Sequence, residues 1–176
     1  DLAASGYQDQ IAANLAGADP GEVAIVAPDL GAVKRAEAFQ RALAPTAPLA
    51  VVLKERPRPD EAEVSGLVGD VRGRQAILVD DIISTGGTLL RAAETLLARG
   101  AARVAACATH AVFAPGTVEA LLASPLERIV VTNTIPVVGQ GRLEVVSVAS
   151  YFAEAIERIH REQAAEVELA TSPPVY

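Results

Sequence analysis

Residues 76–91 read AILVDDIISTGGTLLR, and the fold follows from how that stretch is built. Ala76 to Val79 is a short apolar run with the character of a buried strand. Asp80 and Asp81 close the run, which puts two carboxylates where strand gives way to loop. Ser84, Thr85, Gly86, Gly87 and Thr88 then turn the chain into an amphipathic helix with Leu89, Leu90, Ala93, Leu96 and Leu97 on one face. Glycines let a backbone wrap an anion with its N–H groups pointing inward, and a helix N-terminus adds partial positive charge. Thr85 and Thr88 add hydroxyl donors. The acids cannot hold phosphate; their natural partners are vicinal hydroxyls, reached directly or through Mg²⁺. A phosphate at one end and a diol at the other describe a ribose 5-phosphate. Receiver-type and other doubly wound domains also end a strand in acids before a glycine turn, with the acids binding only a metal. That alternative leaves the TGGT segment unexplained.

On either side, strand and helix patterns alternate. Ser5 caps a first helix to Leu15, with Gly17 as its stop. Val23 to Ala27 reads as a strand ended by Pro28 and Asp29, and Gly31 opens a helix to about Leu43 whose apolar face holds Ala32, Ala36, Phe39 and Leu43. Leu49 to Leu53 is a strand, and the run from Lys54 to Asp60 is irregular because two prolines flank Arg58. Val64 to Val68 is a weaker strand, with a turn from Gly69 to Gly73. Beyond the central helix, stopped at Gly100, come a strand Val104 to His110, a helix Thr117 to Ala123, and strands Arg128 to Thr132 and Leu143 to Val148. Ser150 caps a last helix to about Arg161 that buries Phe152, Ala155, Ile156 and Ile159. This alternation predicts an α/β fold, a doubly wound, mostly parallel sheet flanked by helices. Ligands bind such sheets at the carboxyl ends of strands, and Asp29, Lys54 and the Asp80 loop all fall there. A single domain spans residues 1–163, with a loose tail over 164–176.

Composition narrows the partners. Hydrophobic residues are 51% of the 176, aromatics only 3%, and Trp and Met are absent, so Ala, Val, Leu and Ile build the core. A net charge of −7 argues against nucleic acid or an anionic membrane as the main partner. The one cysteine, Cys107, lies in an apolar run and reads as a buried small hydrophobe suited to a reducing compartment. No apolar run is long enough to span a membrane, and a cytoplasmic location is expected from the reducing compartment that the single cysteine suits. Of the two histidines, His110 reads as structural and His160 as a surface or helix-end residue.

VDDIISTGGTLL resembles the phosphoribosyl pyrophosphate loop shared by type I phosphoribosyltransferases and ribose-phosphate pyrophosphokinases. KERPRPDEAEVSGLVGDVRGRQAILVDD is similar to the pyrophosphokinase stretch that runs from the catalytic flexible loop into the ribose-phosphate site. The similarity continues through APDLGAVKRAEAF, ATHAVF, VVTNTIP and AEAIERIH. The resemblance implies a type I phosphoribosyltransferase-like fold in which Lys54 and Arg56 are catalytic loop residues stabilising the transferring group. It implies that Asp29 is a metal-linked acid, that Asp80 and Asp81 hold the ribose and Mg²⁺, and that Ser84, Thr85, Gly86, Gly87 and Thr88 cradle the 5-phosphate. The implied reaction passes pyrophosphate from ATP to ribose 5-phosphate, in a homo-oligomer built from dimers, hexameric in the family.

Ser84 stands where many members have Asp, and Ala32, Ala111 and Asn133 replace Gly, Gly and Asp. Family members are about twice as long. DLAASGYQDQIAANLAG resembles the helix where their second half begins, so the chain corresponds to the carboxyl-terminal half. The resemblance implies that the family's amino-terminal half supplies most adenine contacts, a catalytic histidine and part of the oligomer interface, so this chain is expected to be inactive alone. A phosphoribosyltransferase proper would need a base-binding hood, which is not seen, and a non-catalytic regulatory relative would have a disrupted loop, whereas Lys54 and Arg56 are kept.

Overall fold

A computed structural model of the chain describes residues 22–55 and 64–160. The expected first helix, the segment around Arg56 and the tail lie outside the described residues. Seven strands form one sheet: β1 (Val23–Ala27), β2 (Leu49–Glu55), β3 (Val64–Val68), β4 (Gln75–Ile83), β5 (Arg103–Ala111), β6 (Arg128–Thr132) and β7 (Leu143–Val146). Their spatial order is β3-β2-β1-β4-β5-β6-β7, and every pair is parallel except β2 with β3. The described helices are α1 (Val33–Leu43), α2 (Gly87–Ala98), α3 (Thr117–Ala123) and α4 (Ala149–His160), and a 3-10 turn at Leu30–Ala32 leads into α1.

Helices cover both faces. Ala36 and Phe39 of α1 pack with Val23, Ile25, Ile77 and Val79 on one side. Leu89, Ala92, Ala93 and Leu96 of α2, with Leu121 of α3, pack with Ala24, Val26, Ala76 and Leu78 on the other. Strands sandwiched in this way have no solvent face, which is why Val23–Ala27 and Ala76–Val79 are continuously apolar and buried. Gly100 ends α2 at φ +90°, with the Gly100 and Ala101 N–H groups returning to the Leu97 and Leu96 carbonyls. No helix among the described residues is long and apolar enough to cross a membrane. The doubly wound, mostly parallel sheet agrees with the expected fold class.

Five local expectations are corrected. β4 does not end at Val79 but runs to Ile83, because its pairing with β5 continues from Asp80↔Ala108 to Ile83↔Ala111. Lys54 is not in irregular chain: it lies in β2 opposite Ser65, where antiparallel pairing with β3 extends the strand to Glu55. β7 stops at Val146, and Ser150 lies inside α4, which begins at Ala149, rather than capping it. The last helix does not bury Phe152 and Ile156, which are 49% and 66% exposed. The alanines at 32 and 111 adopt ordinary negative φ, as a β-carbon requires.

Candidate sugar-phosphate site

The strand order creates the site. From β1 the chain winds outward through β2 to β3, then crosses back to β4 and winds the other way through β5, β6 and β7. The carboxyl ends of β1 and β4 therefore flank the topological switch point, where neighbouring connections diverge and leave a crevice. Pairing between β1 and β4 is registered only to Val26↔Leu78, so Asp80 and Asp81 lie past the end of β1 while β5 still holds their backbone. The acids are thus strand residues with an open flank.

Asp29 follows β1 and caps the 3-10 turn, its Oδ1 accepting from the Ala32 N–H at 3.2 Å. A β-carbon on Gly31 would lie 3.2 Å from that oxygen, so glycine leaves the carboxylate its place. The cap sets the start of α1, and the first turn of α1 delivers Arg35 to the acids. Arg35 Nη2 donates to Asp81 Oδ2 at 2.6 Å, and Nη1 to Asp80 Oδ1 at 3.5 Å. Nothing in the pattern VKRAEAF marks Arg35 out; the usable signal was its place in the helix following a site strand.

The two acids differ. The Asp80 side chain is 17% exposed and that of Asp81 49%. Burial, reinforced by the neighbouring Asp81 charge, pushes Asp80 up from 3.8 to about 6, against the lowering effect of the Asp81 N–H that donates to its Oδ1 at 2.9 Å and of Arg35. Asp81 is the more accessible oxygen ligand. Among the described residues no group of three or more His, Cys, Asp or Glu side chains could hold a metal. Two hard carboxylates fit an ion such as Mg²⁺ that takes one or two protein ligands and completes its shell with substrate oxygens. They do not form an all-protein cage.

The glycine turn is held from the β5 side. Phe113 N–H donates to the Ile83 carbonyl at 3.0 Å, and Ala114 N–H and Thr117 Oγ1 donate to the Ser84 carbonyl at 3.0 and 2.8 Å. Phe113 takes φ +33° to do this, a conformation a bulky side chain adopts only where its surroundings demand it. Gly86 caps α2 at φ +73°, and a β-carbon there would meet Leu121 and Thr117 at 3.4–3.6 Å. No side chain caps the first turn of α2, and that turn carries no acid. Ser84 and Thr85 are exposed, Gly87 and Thr88 half-buried, so the turn presents its amides and hydroxyls on the carboxyl edge of the sheet.

Lys54 lies near the end of β2, parallel to and two strands from β4, on that same edge; Arg56 lies outside the described residues. His110 Nδ1 is 2.9 Å from Thr134 Oγ1, within a network in which the Thr132 and Thr134 hydroxyls reach the Thr109 carbonyl. Asn133 accepts from the Val148 N–H at 2.9 Å and ties the end of β6 to the chain entering α4. Cys107 is buried, and desolvation raises its thiol far above the usual range.

A doubly wound, mostly parallel α/β domain that sets an acid pair and a glycine-led helix at its switch point is the class of fold the chain adopts. Its structure matches that of phosphoribosylpyrophosphate synthetase from Mycobacterium smegmatis with a TM-score of 0.78 and 31% identity, over 88% of this chain and 50% of that one. Residues 58–167 match the family described as phosphoribosyl synthetase-associated domain, and the chain belongs to that family. Ribose-phosphate pyrophosphokinase of Aquifex aeolicus is 50% identical over 137 residues, 77% of this chain and 43% of the relative. The enzyme of the same name from Clostridium acetobutylicum is 46% identical over 144 residues, 80% and 44% of the two chains. The chain thus spans less than half the length of these curated relatives.

Proposed function

We propose that this chain is the sugar-phosphate-binding half of a ribose-phosphate pyrophosphokinase, with ribose 5-phosphate and ATP as substrates. The observation that carries the reading is the placement of Asp80, Asp81 and the Ser84–Thr88 turn on consecutive parts of one strand–helix unit at the β1/β4 crevice. The turn and α2 N-terminus receive the 5-phosphate. The acids accept hydrogen bonds from the ribose hydroxyls, Asp81 more freely than Asp80, and Arg35 orients both. Held so, the sugar presents its anomeric hydroxyl on the side away from the phosphate. That oxygen bonds to the β-phosphorus of ATP, the bond from this phosphorus to the α–β bridging oxygen breaks, AMP departs and the hydroxyl proton is lost.

Asp81 with Asp80 would hold Mg²⁺, with Asp29 linked to it without serving as a third direct ligand, and the ion would supply neutralisation of phosphate charge. Lys54 and Arg56 stabilise the transferring group, as positively charged groups do where charge spreads over oxygens. We further infer that turnover needs the half of the relatives absent from these 176 residues, and that the whole enzyme is a cytoplasmic homo-oligomer.

Calorimetric titration with ribose 5-phosphate and Mg²⁺ tests the site. Saturable binding is expected, and its loss in the Asp80→Ala/Asp81→Ala double variant. Equal binding by the folded double variant, or ATP-dependent synthesis by these 176 residues alone, would contradict the reading.

A further inference from the structure

One cation at the glycine turn is not accounted for by the motif. Arg91 sits one helical turn beyond Gly87, and side chains on a helix lean toward its N-terminus. Its guanidinium folds back over the Gly87 backbone: a β-carbon on Gly87 would lie 3.4 Å from Nη1, 3.9 Å from Nη2 and 3.7 Å from Thr85 Oγ1. The guanidinium and the Thr85 hydroxyl thus converge on Gly87, which has no side chain to separate them. Among the described residues, no carboxylate or carbonyl pairs with this guanidinium.

This arrangement is unfavourable by itself. A helix N-terminus is the positive end of the dipole, and a cation leaning over it is repelled. The first turn of α2 supplies no acid and no side-chain cap to offset that repulsion. An anion in the turn reverses the sign, because amides, hydroxyl and guanidinium then all point at negative charge. The anion that matches such donors is a phosphate monoester dianion, which offers three oxygens and accepts a guanidinium in bidentate fashion.

We propose that Arg91 is a phosphate-binding residue of this site, closing over the terminal phosphate of the sugar and making affinity depend on that group's full charge. The inference rests on the sugar-phosphate reading given above. Arg91 is exposed and packs no core, so its replacement leaves the fold intact.

The test is calorimetric titration of ribose 5-phosphate with Mg²⁺ into the wild-type chain, Arg91→Gln and Arg91→Lys, each at low and moderate salt. A charge-assisted contact of this kind is expected to weaken binding about tenfold when removed, with a shallower salt dependence for Arg91→Gln. Arg91→Lys, a point charge without the fork, is expected to fall between the two. Wild-type binding that Arg91→Gln leaves unchanged in both affinity and salt dependence would overturn the role of Arg91 alone. Failure of the wild-type chain to bind would overturn the sugar-phosphate reading and this role together.

Discussion

Asp80→Asn should make the ligand-free chain more stable at neutral pH while abolishing its grip on the sugar. Asp80 is held at about 6 instead of 3.8, chiefly by burial. The folded state therefore binds this proton more tightly than the unfolded chain does. Stability contributed by the group is fully present below pH 3.8 and is lost as pH rises through 6. The difference of roughly 2 units corresponds to about 3 kcal/mol of destabilisation once the carboxylate is ionised. Asparagine keeps an oxygen for the Asp81 N–H and sheds the charge. The destabilisation is already net of the attraction to Arg35; a neutral amide fits the Asp81 N–H and the half-buried pocket less well than a protonated carboxyl, so the gain at pH 7 is expected to be about 1–2 kcal/mol. Urea unfolding of both chains in EDTA between pH 4 and 8 reads this directly. The stability gap in favour of the Asp80→Asn variant should open between pH 4 and 7, while ribose 5-phosphate binding disappears. A variant that is less stable than wild type at pH 7, or a gap independent of pH, would refute the reasoning.

Two other substitutions probe the sheet and the acid pair. Gly69→Ala places a β-carbon 2.7 Å from both Ala50 Cβ and the Leu49 carbonyl oxygen at φ +104°, and is expected to cost about 3 kcal/mol or more, read as a lowered urea midpoint. Arg35→Gln removes the cation shared by Asp80 and Asp81 and should cost about 1 kcal/mol at pH 7. The loss should shrink toward pH 4, where Asp80 is protonated; a loss of equal size at both pH values would argue that Arg35 acts by packing.

Much of the architecture was legible because buried parallel strands and glycine stops write themselves into composition. Arg128–Thr132 and Thr117–Ala123 have the expected bounds, and the turn from Ser84 to Thr88 leads into α2 as its pattern required. The end of β4 was not legible. Two aspartates are poor strand residues, and only the register with β5, set by a strand some twenty residues away, keeps them extended. Arg35 was hidden for a similar reason: its contact with the acids spans 45 residues of sequence and arises from strand order, which no local pattern encodes. The spacing of Phe152 and Ile156 correctly marked one face of α4. Periodicity says that a face is apolar, not that this chain supplies what covers it.

The central claim is that the β4–α2 unit holds a ribose 5-phosphate with its phosphate on the glycine turn and its hydroxyls on the acids. A crystal structure of the chain soaked with ribose 5-phosphate and Mn²⁺ tests it most directly. The account predicts phosphate density against the Gly86–Thr88 amides and an anomalous manganese peak beside Asp81. Phosphate bound elsewhere, or the sugar seated in the opposite direction with manganese away from the acid pair, would contradict it.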